Sequence, residues 1–228
     1  NLILVSAGNY TRGGEAIGIP SGRGAATTLS AGDAGEIARI PGVRHLAPGV
    51  SDRAPVTAGG RRSFTVIQGT DAALPLIHGW SVGRGQFFTR DHVERAAAVA
   101  VLGPAASVKL FGDANPVGLE IQIRSRAVTV AGVAEISAGD EADAVFVPYT
   151  TLQQMRGIAH LHTITVAAEL AGDSSAIAAE ISARLRERHR LAADLPDDFT
   201  VKTQAGQALT QGLYTSVAAF ALANLPKL

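Results

Sequence analysis

The sequence predicts an α+β fold in which two β-α-β units at the chain ends flank a second small α/β unit. Three observations carry this reading. Residues 1–58 and 162–206 each run strand, helix, strand, and two such units commonly join in one sheet with both helices on a single face. Residues 59–161 between them change character, with short apolar strands and frequent Gly and Pro turns. Residues 207–228 break the pattern again with one increasingly apolar stretch through Val217, Phe220 and Leu222.

Taken in order, Leu2, Ile3, Leu4 and Val5 form a buried strand. Residues 9–26 are Gly-rich, contain Pro20 and read as a loop. Gly18, Gly22 and Gly24 in that loop lack the Gly-Lys-Ser/Thr ending through which a phosphate-binding loop reaches its ligand. Ser30 and Asp33 form a capping-box pair, Ile37 and Ile40 mark one helical face, and Pro41-Gly42 stops the helix. Residues 43–58 are extended, Gly59-Gly60 is a hairpin turn, and residues 61–69 return with Phe64, Val66 and Gln68 on one face. Residues 71–79 hold a short turn or helix. Trp80, Phe87 and Phe88 read as core or unit-interface residues.

Residues 97–123 read as a packing nucleus. Val99 to Leu102 suit a buried strand, and Pro104 opens a short helix. Gly112 is placed to cap that helix in the left-handed conformation, and Leu119, Ile121 and Ile123 alternate as a half-buried strand. Strands follow at 128–136 and 144–147, separated by an acidic turn, and a helix at 150–156. Residues 163–168 alternate as a strand, and Asp173 is placed to cap the next helix. In that helix Ile177, Ile181 and Leu185 form an apolar stripe, with Glu180 and Arg184 as an i,i+4 pair on the other side. Phe199 to Thr203 is a final strand, and residues 207–225 a last helix, read as a stalk directed toward a membrane.

With 228 residues the chain suffices for one large domain or two small ones. Twenty basic residues balance twenty acidic ones, which gives no argument for nucleic acid or an anionic surface as partner. Cysteine is absent, so disulfides and thiol chemistry are excluded. No apolar run reaches the roughly 20 residues that span a bilayer, and no signal peptide is visible. Beginning with Asn and directly in a strand, the sequence reads as a segment of a longer protein.

Chemistry-bearing patterns are lacking. There is no Gly-x-Ser-x-Gly elbow and no His-Glu-x-x-His. His160 and His162 would share a strand face but have no third metal ligand nearby, and Asp140, Glu141 and Asp143 lack calcium-loop spacing. His45, His78, His92 and His189 are scattered. No catalytic, cofactor-binding or metal-binding residue is assigned.

VAVLG at 99–103, LFG at 110–112 and NPVG at 115–118 resemble the periplasmic core domain of MacB-type ABC-transporter permeases, of the wider MacB/FtsX-like superfamily. The same order holds for LILVSAG at 2–8, LSAGDAGEIARIPGV at 29–43, the Gly-Trp and Gly-Arg segment at 66–89, and the strands at 128–133 and 144–148. The resemblance covers about residues 1–206 and implies a porter-like subdomain (1–58 plus 162–206) with an inserted α/β subdomain (59–161) and a stalk helix (207–228). It further implies a non-catalytic extracytoplasmic domain that relays ATP-driven motion during efflux, the ATPase lying in a cytoplasmic domain. The partners it implies are a second permease copy, a periplasmic adaptor, a TolC-like outer-membrane channel, and the membrane through flanking helices. The alternatives are a lipoprotein-release or FtsX-like permease ectodomain, or a ligand-sensing module whose pocket Trp80, Phe87 and Phe88 would line; a hydrolase ranks behind both.

Overall fold

A computed structural model describes residues 1–8, 11–12, 15–16, 27–137 and 139–203. The expected loop at 9–26, with Gly18, Gly22 and Gly24, falls largely outside these residues, and the expected helix at 207–225 wholly so. The first elements are β1 (Leu2–Ala7), a hairpin of β2 (Thr11–Arg12) and β3 (Glu15–Ala16), α1 (Ala31–Ile37), β4 (Val43–Ala58) and β5 (Arg61–Thr70). Next come α2 (Leu74–His78), β6 (Ser81–Gly85), α3 (Arg90–Glu94), β7 (Val99–Leu102), α4 (Pro104–Phe111), β8 (Glu120–Ile123) and β9 (Arg126–Glu135). A 3-10 turn (Asp140–Asp143) leads to β10 (Val145–Pro148), α5 (Tyr149–Arg156), β11 (Thr163–Ala168), α6 (Ser174–Arg188) and β12 (Phe199–Thr203).

The chain ends build an antiparallel sheet in the order β12–β1–β11–β4. Ile3 and Val5 alternate with Leu2 and Leu4, and Ile164 and Val166 with Thr163 and Thr165. The buried members meet Ile37 of α1 and the Ile177, Ile181 and Leu185 stripe of α6 in one core. The Ser30 hydroxyl accepts from the Asp33 amide at 3.3 Å, and the Asp33 carboxylate accepts from the Ser30 amide at 2.8 Å, which closes the expected capping box.

The remaining strands continue from the same sheet as β5–β10–β7–β9–β6, and β8 pairs with both β9 and β4. Strands β4, β5, β10, β7, β9 and β8 therefore form a closed ring of pairings, which leaves no open edge within it. Its buried side chains include Ala54, Val56, Ile67, Leu102, Ile121, Ile123, Val130 and Val145, with Leu110 of α4 among them. A second cluster packs Phe88, Val101, Phe146, Leu74 and Ile77, with Trp80 and Phe87 half-buried against it. The strands of this part are joined in parallel at β5–β10 and β7–β9, an arrangement the sequence pattern did not reveal.

Strand β4 belongs to both parts. Val43 to Gly49 pair with β11, and Val50 to Ala58 pair with β5. Strand β5 follows the Gly59-Gly60 turn, while the pairing partner of β4 already changes at Gly49–Val50. Two expected caps differ from the structure. Gly112 has the positive φ of 66° that favours glycine, but its ψ of −130° takes it out of the left-handed helical region. Asp173 stands at the start of α6 but is itself helical in backbone and makes no side-chain capping bond. Leu119, expected in alternation, precedes β8 and is 48% exposed.

Candidate functional site

The place where β4 passes from the open sheet into the ring is polar and tightly built. A side chain at Gly49 would collide with Thr163 Oγ1, so glycine is what lets β4 and β11 approach there. The Gly49 carbonyl accepts from the His162 amide at 2.9 Å, and the Ser51 amide donates to His162 Nδ1 at 3.0 Å. Nδ1 is therefore the unprotonated nitrogen of a neutral ring. Arg156 of α5 donates to the Ser51 carbonyl at 3.1 Å, and Arg124 holds the Asp52 carboxylate at 2.6 Å. His162 is 5% exposed. Burial, then the nearby charges of Arg156 and His160, push its pKa down to about 4, with Asp52 pulling weakly the other way.

A second polar cluster fastens α1 to α6 and β12. Asp33, 2% exposed, accepts from Arg188 Nε at 2.7 Å, and His189 Nε2 lies 3.5 Å from its other oxygen. His189 Nδ1 meets Asp198 at 2.7 Å just before β12, and its ring packs edge-on against Phe199. Burial raises the Asp33 pKa, but the Ser30 hydroxyl, Arg188, the Ser30 amide and the His189 charge outweigh it and hold the carboxyl below its ordinary value.

His160 and His162 stand with ring centroids 5.6 Å apart, and no group of three or more His, Asp or Glu side chains among the described residues is placed to hold a metal. Asp143 pairs with Lys109 at 2.6 Å, and its backbone carbonyl accepts from Thr65. Trp80 and Phe87 lie against Phe146, with centroids 5.5 and 6.4 Å away, and line neither the cleft beside β6 and α4 nor the one between α2 and β1. Phe88 is buried in the second cluster, and Trp80 and Phe87 pack half-buried against it. Sequence reasoning passed over His189 and the Asp33–Arg188 contact, which joins residues 155 positions apart. The one signal for it was Asp33 itself, read only as a cap.

An open antiparallel sheet running into a closed strand ring is a fold found in extracytoplasmic domains of transporters. The family model "MacB-like periplasmic core domain" matches residues 1–184, and the chain belongs to that family. The macrolide export ATP-binding/permease protein MacB of Chlorobaculum tepidum is 32% identical over 225 residues, 92% of this chain and 33% of that protein. The protein of the same description from Marinobacter nauticus is 31% identical over 211 residues, 90% of this chain and 31% of its own length. The chain thus spans about a third of the length of these curated relatives. Among solved structures, the periplasmic region of MacB from Actinobacillus actinomycetemcomitans superposes with a TM-score of 0.76 at 19% identity, covering 94% of this chain and 92% of that one. The extracellular domain of the noncanonic ABC-type transporter YknZ from Gram-positive bacteria reaches 0.71 at 16% identity, covering 89% and 100%. The chain is a periplasmic domain of an ABC permease, and no helix among its described residues is long and apolar enough to cross a membrane.

Proposed function

We propose that the chain is a non-catalytic relay, which passes ATP-driven motion of the parent permease outward during efflux. The observation that supports this most is β4. One unbroken 16-residue strand is shared by the open sheet and the ring, so displacement of the sheet is delivered to the ring through covalent chain. Ile3 and Thr203 face each other across β1 and β12, so the first and last strands of the receiving sheet lie side by side. In this reading residues 1–58 and 162–206 receive motion and 59–161 carry it outward. The partners are a second permease copy, a periplasmic adaptor and a TolC-like channel, with ATP hydrolysed in a cytoplasmic domain of the parent.

The test is uncoupling. Gly49→Val in the full permease should force β4 from β11 at the joint, leaving ATP hydrolysis in detergent within about twofold while export falls by about tenfold or more. Equal loss of both activities, or export unchanged, contradicts a relay through this strand.

A further inference from the structure

The face of the open sheet turned away from α1 and α6 is covered in part by α2 and borders a cleft of about 410 Å³, within the size range of small-molecule sites. One wall is β12, β1 and β11. Lys202, Leu4 and Thr165 stand opposite one another across these strands, with Leu2 and Thr163 beside them on the same face. The facing wall is α2 and the 3-10 turn, from which Leu74, His78 and Glu141 reach the cleft, and Gln68 and Ser51 close its end. His78 stacks on Trp80 at a centroid distance of 4.6 Å. Leu2 and Leu4 remain half-exposed, although each sits on a strand whose alternate residues are fully buried. Lys202 and Glu141 carry opposite charges on opposite walls, and neither forms an ion pair with any described residue.

We propose that this cleft binds a small zwitterionic amphiphile. Its ammonium group pairs with Glu141, its carboxylate pairs with Lys202, and its aliphatic body lies on Leu2, Leu4 and Leu74, with Thr163, Thr165 and Gln68 offering hydrogen bonds along it. Such a ligand touches both the sheet that carries the chain ends and the inserted part, and so clamps one to the other. The binding is a property of the chain alone and does not depend on the relay.

Leucyl-leucine is the probe, because it has both charges and two aliphatic side chains. Calorimetry with the 228-residue chain at neutral pH should show saturable one-to-one binding. N-acetylation of the probe, which removes the ammonium, and C-terminal amidation, which removes the carboxylate, should each weaken binding about tenfold, the usual scale of one charge-assisted contact. Glu141→Gln should abolish the preference for the free over the acetylated probe and leave the preference over the amide. Lys202→Met should do the converse. Both positions are at the surface, and unchanged melting temperatures will show that the variants are folded. Absence of saturable heat, equal binding of the free and doubly capped probes, or preferences untouched by the two substitutions would each overturn the site.

Discussion

The open sheet and the ring use strands of different kinds. In the open sheet helices cover one face, and β1 reads half-buried, buried, half-buried, buried along its first four residues. In the ring, all four residues of β10 and the last three of β7 are buried, because one face looks into the ring and the other meets the aromatic cluster. Alternation is the mark of a one-sided sheet and an unbroken apolar run that of a two-sided one. The difference teaches that this molecule keeps one sheet face only partly covered, with Ala47 and Ala167 under α2 but Leu2 and Leu4 half-exposed, and that it lies on the unit holding β1 and β12.

The largest effect should come from a charge inside the two-sided part. Val101→Asp puts a carboxylate beneath Phe88 and Phe146 with no partner, at a cost of several kcal/mol out of the roughly 5–15 available to a domain. Thermal melting should show loss of the cooperative transition or a large drop in Tm; a wild-type melt would make β7 one-sided. At the joint, the effect is set by pH. The His162 pKa falls from 6.5 to about 4 on folding, so the unfolded chain binds the proton more readily. This contribution is full above about pH 6.5 and is lost as pH falls toward 4, up to about 3 kcal/mol in all. His162→Gln retains an acceptor for the Ser51 amide, and its stability measured in urea should be flatter across that interval; an unchanged slope would assign the loss to other groups.

The same substitution on the open face sharpens the contrast. Leu4→Asp should cost only about 1 kcal/mol in denaturant titration, since Leu4 is half-exposed and Lys202 stands directly opposite to receive the charge. Equal costs for Val101→Asp and Leu4→Asp would remove the distinction between the two parts. The smallest effect belongs to the exposed Glu180–Arg184 pair at 2.7 Å, where Glu180→Ala should change stability by about 0.5 kcal/mol or less.

What was readable in the sequence was local. The Ser30–Asp33 box, the α6 stripe, the Gly59-Gly60 turn and the strand–helix segment from Val99 to Phe111 all announce themselves within one turn or one alternation. Strand β6 was passed over because Gly83 and Gly85 interrupt its alternation, and α3 because it has only five residues, opened by Thr89 and His92. Ring closure was hidden as well, since nothing in β8 names β4 as its second partner. The candidate site was less legible still. Its charges, Glu141 and Lys202, lie far apart in sequence, and Glu141 was visible only as one member of an acidic turn.

The placement of β4 also sets an order of assembly. Every strand of the ring lies within the continuous stretch from Val50 to Pro148, so the ring can close as soon as that stretch is available. The open sheet cannot. Strand β11 inserts between β1 and β4, and the Ser51–His162 contact at its end joins positions 111 residues apart. For a chain made from its N-terminus, β1 and the first half of β4 must wait with bare edges until β11 and β12 arrive, and such late, non-local pairings are slow to form. The finished ring holds the second half of β4 in place throughout, and so presents the first half as a template on which the open sheet is completed last.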